Sequence, residues 1–146
     1  MKKPRVISIN TSGEKGTRKN PILRVNVIEN WGIAGDAHAG EGERQISLLS
    51  VESIEKIRER GLNTGPGAFA ENITTQGIDL LSIKIGERLK IGEKVVIEVA
   101  QIGKECHSRC SIYLQAGECV MPGEGIFARV LRGGEIRAGD EISILK

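Results

Sequence analysis
The chain has no marked excess of one charge, no long apolar run and no even set of cysteines. Its 21 Lys and Arg side chains face 19 Asp and Glu, for a net charge of +2. A balance that close excludes a dedicated nucleic-acid surface or an acidic tail and leaves small molecules or proteins as partners. No segment approaches the ~20 consecutive apolar residues of a helical membrane span, so a membrane is not an expected partner. Met1-Lys2-Lys3-Pro4 is basic, but the apolar stretch at 6–9 is shorter than the ~7 to 15 residue core of a secretory signal. A cytoplasmic location is the expectation. Three cysteines cannot all pair within one chain, and in a reducing compartment they are expected as free or reactive thiols, with no structural disulfide.

With 146 residues the chain fits a single domain, 1–146, long enough to bury a real core. Its 19 glycines punctuate short segments in which Val, Ile and Thr alternate with polar residues, which is the pattern of strands. Eight strands are predicted, at 5–10, 23–28, 45–49, 72–75, 88–91, 95–100, 126–131 and 141–145, and eight strands in so short a chain suggest a barrel. The clearest helix covers 51–60. Ser50 can cap its first turn, Val51, Ile54 and Ile57 form an apolar stripe, and Gly61 offers a left-handed stop. This helix is expected to plug or flank the barrel. A shorter helical turn is predicted at 111–116, ended by Gly117. A weak repeat places Leu89, Gly92, Glu93, Val95 and Ile97 at the same spacing as Ile136, Gly139, Asp140, Ile142 and Ile144. Both copies read as hairpins whose Gly-acid pair needs positive φ, so Glu93 and Asp140 are left out of the site.

All three thiols fall between Cys106 and Cys119, directly after the most apolar stretch of the chain at 95–100. Thiols scattered through a core act as small hydrophobes. Beside Lys104, His107 and Arg109 they sit where positive charge favours the thiolate, the form that attacks electrophiles and binds metals. Cys106, His107, Cys110 and Cys119 also amount to four soft zinc ligands, although a zinc knuckle usually pairs its ligands as Cys-x2-Cys and here three residues separate the first two cysteines. Cys110 and Cys119 read equally as buried small residues or pocket liners. Two loops can face an anion: 11–20, with Lys15, Arg18 and Lys19, and 32–42. In the second, Asp36 and His38 lie two apart, so an extended segment would project both from one side and let the carboxylate orient the imidazole. The alternative is that Asp36 closes a turn and His38 is a surface residue. Arg44 reads as a surface charge or as a fork for a phosphate, and Glu71-Asn72 as a turn into the next strand or a polar pair at a pocket mouth.

Taken in order, the blocks Gly35-Asp36-Ala37-His38-Ala39-Gly40, Arg44-Gln45-Ile46-Ser47-Leu48-Leu49, Glu71-Asn72-Ile73-Thr74-Thr75-Gln76-Gly77-Ile78, Ile85-Gly86-Glu87-Arg88-Leu89 and Lys104-Glu105-Cys106 carry a resemblance. Together they are similar to the MOSC domain family, named for the C-terminal domain of molybdenum cofactor sulfurases, and the resemblance runs from about residue 8 to residue 144. It implies a mainly β fold, an antiparallel β-barrel with a few short helices, in agreement with the strand count. It makes Cys106 the family's site cysteine, proposed in sulfurases to carry sulfur as a persulfide and in related molybdoenzymes to bind molybdenum directly. His38 falls on the histidine of the Gly-Asp-X-His block and joins Cys106 as a candidate catalytic residue. Asp36, Arg44 and Asn72 fall at or near the pocket, Lys19 suits the phosphate of a pterin, and Lys104 and Arg109 flank the cysteine as further candidates for cofactor binding. Many members read Arg-X-Pro-Cys where this chain has Gly103-Lys104-Glu105-Cys106.

The resemblance implies a standalone domain in molybdenum-cofactor metabolism that binds a molybdopterin-type cofactor, carries sulfur on Cys106, or both. The chain has no length for a pyridoxal-phosphate desulfurase, so a cysteine desulfurase or a molybdoenzyme is the expected protein partner. Two alternatives stand beside this: a non-catalytic binding module with a metal-stabilised or redox-sensing cysteine loop, and a molybdenum-cofactor-dependent reductase of N-hydroxylated compounds.

Overall fold
Alternating aliphatic residues give strands such as those at 88–91 and 95–99 one dry face, and the strands join so that their dry faces meet. The structure, a computed structural model, describes residues 4–12, 20–36, 39–40, 42, 44–58, 71–102 and 125–145. Its strands are β1 (Arg5–Thr11), β2 (Asn20–Ile22), β3 (Arg24–Ile28), β4 (Gly32–Ile33), β5 (Ile46–Ser50), β6 (Ile73–Gln76), β7 (Arg88–Ile91), β8 (Val95–Ile102), β9 (Ile126–Arg132), β10 (Gly134–Arg137) and β11 (Ile142–Leu145). One α-helix, α1 (Val51–Arg58), and a 3-10 turn at Leu80–Ser82 complete the described elements. Eight strands form one sheet in the order β11-β7-β8-β9-β5-β6-β1-β2, and β10-β3-β4 form a second.

Register explains the core. A row of paired residues, Ile22, Ile9, Ile73, Leu48 and Ile126, crosses five neighbouring strands of the large sheet. Because side chains directly opposite one another share a face, this row lies inside. Ile9, Leu48, Ile73 and Ile126 are fully buried there, joined by Val6, Leu89, Ile97, Val130 and Ile136. Ile136 comes from the small sheet, which closes over the large one.

The mainly β expectation holds, and all eight predicted strands are present. The large sheet, however, is mixed, because β5 and β6 run parallel. A parallel pair needs a crossover of a dozen or more residues, and the chain between Ser50 and Ile73, opening with α1, is that crossover. Nor is the sheet a closed barrel. Among the described residues a single bridge, Arg5 to Glu141, joins β1 to the start of β11, helped by backbone bonds from Val6 N–H to Asp140 O (2.8 Å), Gly139 N–H to Val6 O (2.7 Å) and Ile142 N–H to Pro4 O (2.9 Å).

Of the two repeat copies, only the first is a hairpin, with Ile91 paired to Val95. The second is a corner: β10 pairs with β3 in the small sheet, whereas β11 pairs with β7 in the large one. Both turns do use positive φ, +65° at Gly92 and +96° at Gly139. Asp140 Oδ2 accepts the Arg137 N–H at 2.8 Å, which closes the corner and bears out its reading as a turn residue.

Helix α1 begins as expected, for Ser50 Oγ accepts the Ser53 N–H at 3.1 Å, the bond of a capping serine. The helix flanks β5 and β6 and does not plug the interior. Its Ile54 and the neighbouring Leu49 are buried but stand apart from the interior cluster, on the outer face of the sheet. The predicted helix end at Glu59, Arg60 and Gly61 and the turn at 111–116 lie outside the described residues. Among the described residues, no helix is long and apolar enough to cross a membrane.

Candidate functional site
The outer face of β1, β6 and β5 carries buried polar side chains where strand alternation would put solvent. One irregularity on β1 sets this up. Val6 pairs with Thr75 and Ser8 with Thr74, so Ile7 is an extra residue, a β-bulge. Val6 and Ile9 can then both face the interior while Ser8 and Asn10 point outward. Ser8 Oγ donates to Asn10 Oδ1 (2.7 Å), Asn10 Nδ2 donates to Thr74 Oγ1 (3.0 Å) and to the Glu71 carbonyl (3.2 Å), and Thr74 Oγ1 donates to Glu71 Oε2 (2.7 Å). Each donor in the series has one direction open to it, and the Glu71 carboxylate is the acceptor at its end.

Asn72 locks three strands at their shared end. Its Oδ1 accepts the Ser47 N–H at 3.0 Å and the Ser47 hydroxyl at 3.2 Å, and its Nδ2 donates to the Asn10 carbonyl at 3.3 Å. In return the Asn10 N–H donates to the Asn72 carbonyl at 2.7 Å. Asn10, Glu71, Asn72 and Thr74 are all fully buried. The Glu71-Asn72 pair is thus turned into the fold, at the ends of β1 and β5 where β6 begins.

Asp36 reaches the same end by another route. Its Oδ1 accepts the Ser12 N–H at 3.1 Å, directly after β1, and its own backbone closes turns with Ile33 and Ala39. Asp36 is almost wholly buried, and it ties the 35–40 block to the start of the loop that contains Lys19. The block is tied back by the Gly40 N–H, which donates to the Trp31 carbonyl at 2.8 Å, and the turn that holds Trp31 is itself joined to β9 through Gln45, whose Nε2 donates to Asn30 Oδ1 (3.0 Å) and whose Oε1 accepts the Val130 N–H (2.9 Å). Gly32 permits this closeness: at φ +125° it brings its backbone so near that an added Cβ would stand 2.3 Å from the Gln45 carbonyl oxygen.

Arg44 stands on the outer face, exposed, two residues before β5. Its Nε donates to Gln101 Oε1 at 2.9 Å, and its guanidinium carbon lies 5.3 Å from the centre of the Phe127 ring. Phe127 pairs with Ser47, so the Arg44 cluster and the Asn72 lock share one face. The structure therefore sets Asn72 between β5 and β1 and Asp36 just beyond the end of β1, and it sets Arg44 farther along the same sheet, against β8 and β9, linked to Asn72 only through the Phe127–Ser47 pair. Lys19, His38, Lys104, Cys106 and Arg109 lie outside the described residues, as do His107, Cys110 and Cys119.

Several residues of this arrangement were not singled out from sequence. Ser8, Asn10 and Ser47 left a signal, since each is polar within an aliphatic strand. Gln101 left none. A surface cleft of about 390 Å³ lies elsewhere, lined by Glu93, Lys94, Glu135, Arg137 and Asp140, and shares no residue with the site. Its charges already face each other: Arg137 Nε donates to Glu135 Oε1 at 2.8 Å. The Arg137 bond holds the Glu135 carboxyl below the usual carboxylate range, and Glu135 in turn raises Arg137.

Comparison with known proteins identifies the fold and the family. A reductase from Gibberella moniliformis (strain M3125 / FGSC 7600) is 28% identical over 127 residues, covering 79% of this chain and 23% of that protein. The chain thus spans less than a quarter of the length of this curated relative. Among crystal structures, the YuaD protein from Bacillus subtilis superposes with a TM-score of 0.78 at 20% identity, over 97% of this chain and 94% of that one. YiiM from Geobacillus stearothermophilus gives 0.77 at 22% identity, over 98% and 75%. These two likenesses establish the fold. Residues 35–143 match the model of the MOSC domain, a span that takes in Asp36, Arg44, Asn72 and the cysteine window, and the chain belongs to the MOSC domain family.

Proposed function
We propose that this protein acts in molybdenum-cofactor metabolism, holding a molybdopterin-type ligand by its phosphate and carrying sulfur, or ligating molybdenum, through Cys106. The observation that carries the reading is Arg44. Its Nε is spent on Gln101, and among the described residues its two terminal amino groups have no hydrogen-bond partner. A guanidinium fixed on one edge with two parallel donors open suits the oxygens of a phosphate, so the donor set fits the anionic end of a pterin cofactor. In this reading Asp36 and Asn72 shape the rim and leave ligand contact to Arg44, Lys19 and Lys104. The bound cofactor would supply redox or sulfur-accepting chemistry at its metal. Cys106 takes part as a thiolate: it attacks the outer sulfur of a desulfurase persulfide, keeps that sulfur, and releases the desulfurase thiolate.

Calorimetric titration with a pterin monophosphate tests the ligand half. Charge-assisted hydrogen bonds are worth ~1.5 to 3 kcal/mol each, so Arg44→Ala should bind about ten- to a hundredfold more weakly with the fold intact. Equal affinity would return Arg44 to a surface charge. Intact mass after incubation with a cysteine desulfurase tests the other half. One added sulfur atom on the wild type and none on Cys106→Ser is the expected result, whereas stoichiometric zinc together with unfolding of both Cys106→Ser and Cys119→Ser would favour a metal-stabilised module.

The reductase relative favours a second reading. Reductase activity would require this fold to serve as one part of a larger redox protein, because the likeness covers 23% of that relative's length. Turnover of an N-hydroxylated substrate by cofactor-loaded protein with an added electron donor would support it.

A further inference from the structure
Strand alternation assigns Gln101 to the interior. Val95, Ile97 and Val99 all face the core, and a residue two places on from Val99 should follow them. It does not, because β8 is bulged. Val99 pairs with Ala128 and Gln101 pairs with Phe127, so one step along β9 matches two along β8, and Ala100 is the extra residue. The irregularity turns Gln101 onto the outer face, opposite Phe127, at the place where Arg44 lies. A bulge that re-aims one side chain beside a site is a built feature.

Its effect on Arg44 is specific. A loop arginine samples many rotamers, and holding it still requires partners on more than one side. Gln101 Oε1 takes the Nε–H at 2.9 Å, and the ring of Phe127, itself 5% exposed, lies 5.3 Å from the guanidinium carbon. Occupying Nε removes the side-on pair of donors and leaves the end-on pair, the two terminal amino groups, whose parallel N–H bonds match two oxygens of one anion. Phe127 in turn is fixed by its pairing with Ser47, the residue that Asn72 holds.

We infer that Gln101, assisted by Phe127, is a positioning residue that presents the end-on fork of Arg44 to a two-oxygen anion, in the chemical class of phosphate monoesters. This rests on the reading of Arg44 given above and adds the device that orients it.

A double-mutant cycle with a pterin monophosphate as the probe separates the two. Gln101→Met keeps length and removes the amide acceptor, so affinity should fall about tenfold with the melting temperature nearly unchanged. In the Arg44→Ala background the same substitution should change affinity less than about twofold, because Gln101 acts through Arg44. Phe127→Leu, which keeps an apolar side chain and loses the ring face, should weaken binding severalfold with the same dependence on Arg44, and it serves if Gln101→Met fails to fold. Wild-type affinity in Gln101→Met, or equal losses in both backgrounds, would overturn the positioning role while leaving Arg44 as the anion contact. Wild-type affinity in Arg44→Ala, or no binding by the wild type, would overturn both.

Discussion
The two faces of the large sheet follow different rules. Inside, Ile9, Leu48, Ile73 and Ile126 form an aliphatic row in which volume is the main constraint. Outside, across the same strands, Ser8, Asn10, Ser47, Glu71, Asn72 and Thr74 are buried as polar groups whose donors and acceptors must be matched one by one. The interior holds the strands together without fixing what the protein does. The outer face spends buried hydrogen bonds to hold three strand ends at one place, the ends that border the candidate site.

Removing interior volume should have the largest effect. Leu48→Ala deletes a fully buried side chain and should cost about 2 to 5 kcal/mol, whereas Leu48→Met, which conserves volume, should cost less than about 1.5 kcal/mol. Urea denaturation at constant slope would measure both. Equal losses would mean that the interior is as particular as the outer face.

The outer face should fail the converse test. Asn72→Asp changes almost no volume but removes Nδ2, which serves the Asn10 carbonyl, and sets a carboxylate near that oxygen. A loss of about 1 to 3 kcal/mol is expected from the stranded buried acceptor. A neutral Asn72→Asp would erase the distinction between the faces.

The smallest effect belongs to polar groups in solvent. Arg129 Nη2 donates to Glu98 Oε1 at 2.6 Å and Arg88 Nε to Oε2 at 3.4 Å. The Arg129 bond, first among the causes, holds the Glu98 carboxyl below the ordinary carboxylate range. A depressed folded value means stability that is present above the unfolded carboxylate pKa of about 4.3 and lost as pH falls through the folded one. The melting-temperature difference between wild type and Glu98→Gln should therefore be slight at neutral pH and vanish in acid. A difference that grows in acid would contradict the sign.

Much of this was legible in the chain. The eight predicted strands announce themselves by their Val, Ile and Thr between turn residues, and Ser50 announces α1. The strands β2 and β4 span too few residues for a period to emerge, and β10, though as long as β7, opens on glycine straight after Gly133 and so reads as a turn. The parallel pairing of β5 and β6 left no mark, since strand direction is set by the crossover and not by the strand's own residues. Gly139 looked like Gly92 because a corner and a hairpin place the same demand on φ, although only one returns the chain to its neighbour. At the site, Asp36, Arg44 and Asn72 could be named from the order of the blocks. Gln101 could not, because the Ala100 bulge reverses the face that alternation assigns to it. Glu71 could be named only as half of a polar pair, as Asn10, which bonds both its carbonyl and its partner Thr74, is aimed there by a bulge at Ile7.

The bridge between Arg5 and Glu141 bears on how the molecule comes into being. A growing chain emerges from its amino end, so β1 is made long before β6 can pair with it, and longer still before the corner at Gly139 exists to receive Val6. For that interval β1 has only β2 as a neighbour, paired at Ile9 to Thr11, and its other edge, with Val6 and Ile7, is open, the kind of edge that joins other chains. Ser8 and Asn10, buried and bonded in the finished protein, interrupt it. In the unfinished one the same two side chains break the apolar run of the strand, the kind of interruption that lowers the tendency to self-associate before the site they will frame has formed.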